Sequence, residues 1–205
     1  MLDITEHPIF LTSCFVTYAT EFDHKIIIDS VNQIEKTQPS NKRSNAGGFQ
    51  SRTIGRTEYD NAETANLFEN LIIPAAKQIA LDTGYPSTFD SVRYWYNINY
   101  RYSYNKAHIH PKSYLSGVYY IKVPADSGRI VFNRSETEID RMDFIVEEFV
   151  KTKQTKNNIR INTEHWYDPT EGMLILFPGH VNHYVEQNLT LDADDKRISL
   201  SFNFF

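Results

Sequence analysis

From residue 91 onward the sequence is divided into short runs of β-branched and aromatic residues, separated by turn-forming residues. Such runs are typical of strands in an antiparallel sandwich or barrel. The aromatic content of 14% also favours packed sheets over a helical bundle. The predicted strands span residues 91–100, 114–123, 129–133, 158–163, 172–177, 183–186 and 197–205.

Two amphipathic helices are predicted ahead of these strands. The first begins after Asp23, and the second is capped by Asp60 or Asn61 and ends at Gly84. In both segments apolar residues recur at spacings of three and four, which places them on one helical face. The sequence therefore predicts a mainly β (α+β) fold in which helices support a sandwich or barrel from one side.

The length of 205 residues suits a single domain, since about 100–200 residues per domain is usual. Residues 1–88 are expected to supply an N-terminal strand, over 9–19, and the supporting helices. The polar segment 38–59 is predicted to be an ordered loop without regular structure. Residues 89–205 are expected to form the β core.

An insertion at residues 135–157 interrupts the predicted strands. Its apolar side chains alternate with acidic ones and are followed by lysines, which predicts a short helix in a long surface excursion. The apolar residues are numerous enough that one side should rest on the barrel, as a lid that contributes to substrate choice. A solvated insertion without function is the alternative.

The net charge and the cysteine content restrict the binding partners and the metal sites that this protein can have. The net charge of −5 gives no general attraction to nucleic acid or anionic membranes. The single cysteine, Cys14, can close no intrachain disulfide and excludes a cysteine-based metal site. No signal-like start and no run of about 18 apolar residues occurs, so we expect a cytoplasmic protein without membrane or nucleic-acid partners.

Three of the seven histidines have a spacing that suggests a metal site. His108 and His110 are two residues apart, which on a strand places both side chains on one face. His183 stands at the start of a predicted strand and can supply a third ligand. Imidazole at about 2.0–2.1 Å suits iron, zinc, copper or nickel, so the residues alone do not name the metal. Buried histidines that only make hydrogen bonds are the alternative.

These histidines belong to a series of motifs that runs in order over residues 93–205. The motifs are Trp95-Tyr96-Asn97, His108-Ile109-His110-Pro111, Leu115-Ser116-Gly117-Val118-Tyr119-Tyr120-Ile121, Gly172-Met173-Leu174-Ile175-Leu176-Phe177-Pro178, His183-Tyr184-Val185 and Arg197-Ile198-Ser199-Leu200-Ser201-Phe202-Asn203. The series resembles a family of 2-oxoglutarate/iron(II) oxygenases found widely in marine bacteria and cyanophages. Residues 45–51 also resemble the N-terminal half of that family.

The resemblance implies a double-stranded β-helix, a cupin-like jelly roll that holds one iron at its open end. It implies Fe(II) as cofactor, 2-oxoglutarate and O2 as cosubstrates, and stimulation by ascorbate. The expected activity is hydroxylation of an unidentified small-molecule or peptide substrate, with release of succinate and CO2. The expected location is the cytoplasm, or the host cytoplasm for a phage protein, and the oligomeric state stays open, a dimer included.

In this resemblance His108 corresponds to the first iron ligand of the family and His183 to the distal one. His110 stands where the wider superfamily has Asp or Glu. Three possibilities follow: a three-histidine iron site, a ligand set completed by water or a distant carboxylate, or a redox-silent metal site. His-Ile-His-Pro resembles the usual form in this family, which favours the first.

The resemblance also assigns cosubstrate-binding residues. Arg197 and Ser199 match an Arg-x-Ser pattern that receives the distal carboxylate, and a surface salt bridge is the alternative for Arg197. Tyr120 corresponds to the tyrosine that contacts the cosubstrate in prolyl hydroxylases, with Val118 and Ile130 as apolar walls. Asn97 carries over from a related motif as a further cosubstrate residue. For all of these, ordinary sheet packing is the alternative.

Two other functions are compatible with the sequence. One is a three-histidine cupin-type metalloenzyme that does not use 2-oxoglutarate, and the other is a non-catalytic jelly-roll binding module. Arg197 with Ser199 distinguishes the oxygenase from the first, because only the oxygenase needs a buried receptor for a carboxylate. The three histidines argue against the second.

Overall fold

The computed structural model of the protein describes residues 12–84, 88–89, 91–134, 162–192 and 194–205. The insertion predicted at 135–157 lies outside these residues, as does most of the strand predicted at 158–163. The strands are β1 (Phe15–Tyr18), β2 (Asn45–Ala46), β3 (Phe49–Gln50), β4 (Ile54–Gly55), β5 (Val92–Asn99), β6 (Tyr104–His108), β7 (Leu115–Lys122), β8 (Ile130–Asn133), β9 (Glu164–Tyr167), β10 (Met173–Pro178), β11 (His183–Val185) and β12 (Arg197–Phe204).

Both predicted helices are confirmed. Helix α1 (His24–Thr37) begins where the Asp23 carboxylate accepts hydrogen bonds from two backbone amides. The second helical run comprises α2 (Ala62–Leu67), a π-helical turn (Phe68–Ile72) and α3 (Ile73–Thr83). Asn61 rather than Asp60 caps it, with Oδ1 accepting from the Thr64 amide at 2.7 Å. The run ends at Gly84, whose φ of 74° is in the left-handed region that glycine adopts without strain.

The strands form two antiparallel sheets. The larger has the order β1-β10-β7-β12-β5-β3, with β4 also paired to β5, and the smaller has the order β2-β6-β11-β8-β9. One core cluster joins the larger sheet to the helices, and a second lies between the two sheets. The helices therefore cover the outer face of the larger sheet and the smaller sheet covers its inner face.

Alternation along β12 decides which side chains reach the space between the sheets. Ile198, Leu200, Phe202 and Phe204 pack in the core on the helix side. Arg197, Ser199 and Ser201 line the space on the opposite side. Because successive side chains of a strand point to opposite faces, Arg197, Ser199 and Ser201 all point into the space between the sheets.

The structure differs from the sequence prediction in three places. The segment 38–59 contains three two-residue strands, β2 to β4, and a short 3-10 helix at Arg56–Glu58, instead of a loop alone. Strand β6 was not predicted, and neither was β9 at 164–167; residues 158–161 of the strand expected at 158–163 lie outside the described residues. All are short or polar segments whose conformation is set by pairing with neighbouring strands, a tertiary effect that local propensity does not carry.

Asp60 joins the helices to the larger sheet. Its Oδ1 accepts hydrogen bonds from the hydroxyls of Tyr94 at 2.8 Å and Tyr96 at 2.9 Å. Its Oδ2 accepts from Ser30 at 2.6 Å and from the Asn61 amide at 2.8 Å. One carboxylate therefore connects α1, the start of α2 and β5.

We expect Asp60→Ala to lower the free energy of unfolding by about 2–4 kcal/mol. Two buried tyrosine hydroxyls would lose a charged acceptor, and each such loss costs about 1–3 kcal/mol. Urea denaturation followed by circular dichroism measures the change. The control is Asp82→Ala, because the Asp82 carboxylate takes a single bond, from Gln78, at an exposed position of α3. Equal losses in both variants would contradict the role given to Asp60.

Candidate active site

His108, His110 and His183 meet at one end of the space between the sheets. His108 is the last residue of β6, and His183, the first residue of β11, pairs directly with it. The ligand nitrogens of the three side chains all lie within 4.8 Å of one another. Two metal bonds of about 2.0–2.1 Å span nitrogens up to about 4.2 Å apart, so side-chain movements of well under about 1 Å bring the three nitrogens to one ion.

The placement of His110 differs from the sequence expectation. The strand ends at His108, so the two histidines do not share the face of one strand. His110 lies two residues beyond, where its backbone amide donates to the carbonyl of Gly179 at 2.8 Å. This bond to the end of β10 brings the His110 ring to 5.1 Å from the His183 ring, measured between centroids.

Backbone carbonyls fix the orientation of two of the rings. His108 Nδ1 lies 2.7 Å from the Lys106 carbonyl, and His183 Nδ1 lies 3.0 Å from the Val181 carbonyl. A carbonyl can only accept, so each neutral ring carries its proton on Nδ1 and keeps a lone pair on Nε2. A hydrogen bond of this kind at the far nitrogen holds an imidazole ring in the orientation and tautomer that bind a metal.

Burial keeps the cluster neutral. It lowers the pKa of His110 to about 3 and that of His183 to about 4, and the neighbouring histidines add to the effect. Burial also lowers the pKa of His108. Among the described residues, no carboxylate joins the group. The site therefore offers three neutral nitrogen donors, a set that suits a transition-metal ion such as Fe(II).

A cavity of about 40 Å³ extends from the histidines between the two sheets. All residues predicted for the site line it: the three histidines together with Asn97, Tyr120, Arg197 and Ser199, and the predicted walls Val118 and Ile130. The spacing of the histidines and the family resemblance had identified all of these. Sequence reasoning did miss Ser44 and Asn105, which carry no motif, and Trp95, which the alternation along β5 could have shown because it shares a face with Asn97.

Arg197 is the most unusual side chain of this cavity, with an exposed fraction of only 2%. Its Nη1 donates to the carbonyls of Ser127 at 2.6 Å and Gly128 at 2.8 Å. Its Nε is buried without a partner, and no carboxylate of the described residues pairs with the guanidinium. The alternative of a surface salt bridge is therefore wrong for Arg197.

Gly128 makes this arrangement possible. Its φ is +85°, and a Cβ at this position would lie 2.4 Å from the Glu186 carbonyl oxygen. Only glycine lets the backbone approach β11 so closely while its own carbonyl faces Arg197.

Tyr120 faces the cavity and its neighbour Tyr119 faces the helices, as strand alternation predicts. The Tyr119 hydroxyl donates to the Ala19 carbonyl at 2.9 Å. Burial raises the pKa of Tyr120 to about 12, although the charge of Arg197 opposes this, so the hydroxyl stays a neutral donor. Ser199 lies between Tyr120 on β7 and Asn97 on β5 in the register of the sheet. These three polar side chains form a row next to Arg197.

Within the described part of the chain, no helix has the length and apolar character needed to cross a membrane.

Several solved structures share this architecture. A prolyl-4-hydroxylase from Pseudomonas putida is 14% identical, with a TM-score of 0.57 over 92% of this chain and 91% of that one. A prolyl hydroxylase from Trichoplax adhaerens, solved with a hypoxia inducible factor peptide, is 12% identical, with a TM-score of 0.62 over 94% and 83%. The non-heme alpha ketoglutarate dependent carbocyclase SnoK is 11% identical, with a TM-score of 0.62 over 94% and 79%.

These similarities show the fold, and the predicted double-stranded β-helix with supporting helices is confirmed. The fold and the histidine cluster define the class, a jelly-roll protein with a candidate metal centre. A sequence profile of the family described as "Putative 2OG-Fe(II) oxygenase" matches residues 93–203, which is more than half of the chain. The chain belongs to this family, which implies Fe(II) and 2-oxoglutarate. A comparison with curated protein sequences finds no match.

Proposed function

We propose that the protein is a 2-oxoglutarate- and Fe(II)-dependent hydroxylase. The overall reaction takes 2-oxoglutarate, O2 and a substrate C–H bond to succinate, CO2 and a hydroxylated product. The substrate is a small molecule or a peptide. The iron ligands in this proposal are His108, His110 and His183, and the cosubstrate residues are Arg197, Ser199, Tyr120 and Asn97.

The observation that carries the proposal is the buried guanidinium of Arg197. A buried charge without a counter-charge costs several kcal/mol, and a ligand carboxylate removes that cost. The planar guanidinium suits a carboxylate because it can donate two parallel hydrogen bonds. The distal carboxylate of 2-oxoglutarate is such a partner. A cupin-type enzyme that does not use 2-oxoglutarate has no need for this residue.

The other cavity residues fit the same ligand. The hydroxyls of Tyr120 and Ser199 can donate to a carboxylate held by Arg197, and the Asn97 amide can hydrogen-bond to the remaining oxygens. Val118 and Ile130 provide apolar walls that exclude water from the methylene groups of 2-oxoglutarate.

The histidine cluster fits Fe(II). His108 and His183 present Nε2 lone pairs, and all three imidazoles are neutral, which is the form that binds metal. Bound iron supplies the one-electron and O2 chemistry that no side chain can perform. The chain itself holds the ligands, orients the cosubstrate and keeps water out.

Succinate release tests the proposal. Protein prepared without metal is supplied with Fe(II), ascorbate and 2-oxoglutarate in air, across a panel of peptides, amino acids, nucleotides and sugars. We expect 2-oxoglutarate turnover that requires both Fe(II) and O2 and is stimulated by one substrate class. Replacing Fe(II) with Zn(II), which has no redox chemistry, should abolish turnover. Absence of turnover together with absence of 2-oxoglutarate binding would contradict the proposal.

A further inference from the structure

We propose that Asn203 is a positioning residue that sets the tautomer of His110 and so decides whether His110 can act as the third metal ligand. The inference rests on the proposed function, because it concerns the same histidine cluster.

Asn203 stands between His110 and a pair of serines. It lies on β12 opposite Ser116 on β7. Its amide Nδ2 is 3.5 Å from His110 Nδ1, and its Oδ1 is 2.8 Å from the Ser116 hydroxyl. Among the described residues, this amide is the side-chain group that hydrogen-bonds to His110.

His110 differs from the other two histidines in the kind of partner it has. The Nδ1 atoms of His108 and His183 face carbonyls, which accept only, so their protons are fixed on Nδ1. An amide can either donate or accept, depending on which of its two ends faces the ring. The His110 tautomer therefore depends on the rotation of the Asn203 amide.

The two amide orientations have opposite consequences. With Nδ2 toward the ring, Asn203 donates to His110 Nδ1, so the proton of the neutral ring is on Nε2, which then has no lone pair for a metal. With the amide turned by about 180°, Oδ1 accepts from His110 Nδ1–H and leaves Nε2 free. The two ends of the amide have nearly the same shape, so this rotation needs no repacking.

The serines accommodate the turned orientation. The Ser116 hydroxyl is within reach of two acceptors, Asn203 Oδ1 at 2.8 Å and Ser113 Oγ at 3.2 Å, but it has a single hydrogen. After the rotation Ser116 accepts from Asn203 Nδ2 and gives its hydrogen to Ser113. Ser113 in turn donates to the Leu115 carbonyl at 2.6 Å. The hydroxyl hydrogens of Ser116 and Ser113 then each have an acceptor, and the Nε2 lone pair of His110 is free to bind metal.

Two variants of Asn203 separate this role from simple packing. Asn203→Asp keeps an acceptor and loses the donor, which fixes the His110 proton on Nδ1. Asn203→Leu keeps the approximate side-chain volume and removes both the donor and the acceptor. We expect Asn203→Leu to weaken Co(II) binding about 10–100-fold, the range typical when a residue hydrogen-bonded to a metal ligand is lost, and Asn203→Asp to bind Co(II) at least as tightly as the original protein. Calorimetry measures both, with Asn70→Leu on the exposed helical surface as control.

Nitrogen chemical shifts of labelled histidine provide the second measurement and need no metal-loaded enzyme. We expect His110 Nδ1 to be protonated in Asn203→Asp and in the Zn(II) complex of the original protein. If the original protein bound no metal, the proposed function would fail. If it bound metal, but Asn203→Leu bound equally well or Asn203→Asp kept the proton on Nε2, the role of Asn203 would be overturned.

Discussion

Replacing His183 with alanine is expected to lower the affinity for Fe(II) by at least about 100-fold, since loss of an outer-shell partner alone costs about 10–100-fold. The His183 ring lies close to both of the other rings, at 4.4 Å from that of His108 and 5.1 Å from that of His110, measured between centroids. Its own hydrogen bond is to the Val181 carbonyl, so the metal-free fold should survive the change. Anaerobic calorimetry measures the affinity.

The matched control is His165→Ala, a histidine on the exposed face of β9. Fluorescence gives an independent readout, because Trp95 lies beside the cluster, with its ring 5.7 Å from that of His110. In a Trp166→Phe background Trp95 is the single remaining tryptophan, and Co(II) should quench its emission. Adding His183→Ala should remove this quenching. Unchanged metal affinity in His183→Ala would show that the histidines form a packing cluster and not a metal site.

Arg197→Lys is expected to weaken 2-oxoglutarate binding by tens-fold. Lysine keeps the charge but offers a point donor in place of a planar fork, and charged hydrogen bonds are worth about 1.5–3 kcal/mol. Calorimetric titration of the anaerobic, metal-loaded protein measures the loss.

Arg129→Lys is the control for the same chemical change. Arg129 is a half-buried arginine that pairs with Glu186 at 2.6 Å and does not line the cavity. The Arg129→Lys variant should bind 2-oxoglutarate with unchanged affinity. Equal affinity in the original protein and Arg197→Lys would return Arg197 to a structural role, in which its bonds to the Ser127 and Gly128 carbonyls are its whole function.

The sequence was most informative where a two-residue period continues over a long strand. β5, β7 and β12 are each eight residues long, and each was predicted to within one or two residues. The family resemblance then assigned Tyr120, Arg197 and Ser199 to the cosubstrate site, and the alternation of side chains along β7 and β12 agrees with that assignment. The helix caps could also be predicted from the sequence, because capping depends on side chains within one turn of the helix.

Features that depend on distant parts of the chain could not be predicted. β6 is a polar strand held by β2 and β11, and its end at His108 overturned the idea that His108 and His110 share one strand face. Whether Arg197 is buried or forms a surface salt bridge depends on the carbonyls of residues 127 and 128, about 70 residues away in sequence. The proximity of Asn203 to His110 likewise depends on the pairing of β12 with β7 and on the backbone bond from His110 to Gly179. The lid proposed for residues 135–157 stays a prediction.

A crystal structure obtained without oxygen, with Fe(II) and 2-oxoglutarate bound, tests the three-histidine site most directly. We expect Nε2 of His108, His110 and His183 at bonding distance from one iron, about 2.0–2.1 Å for imidazole nitrogen. We expect the distal carboxylate of 2-oxoglutarate against the guanidinium of Arg197. A His110 ring turned away from the iron, with a carboxylate or water in its place, would contradict the ligand set, and a cosubstrate bound away from Arg197 would contradict the proposed pocket.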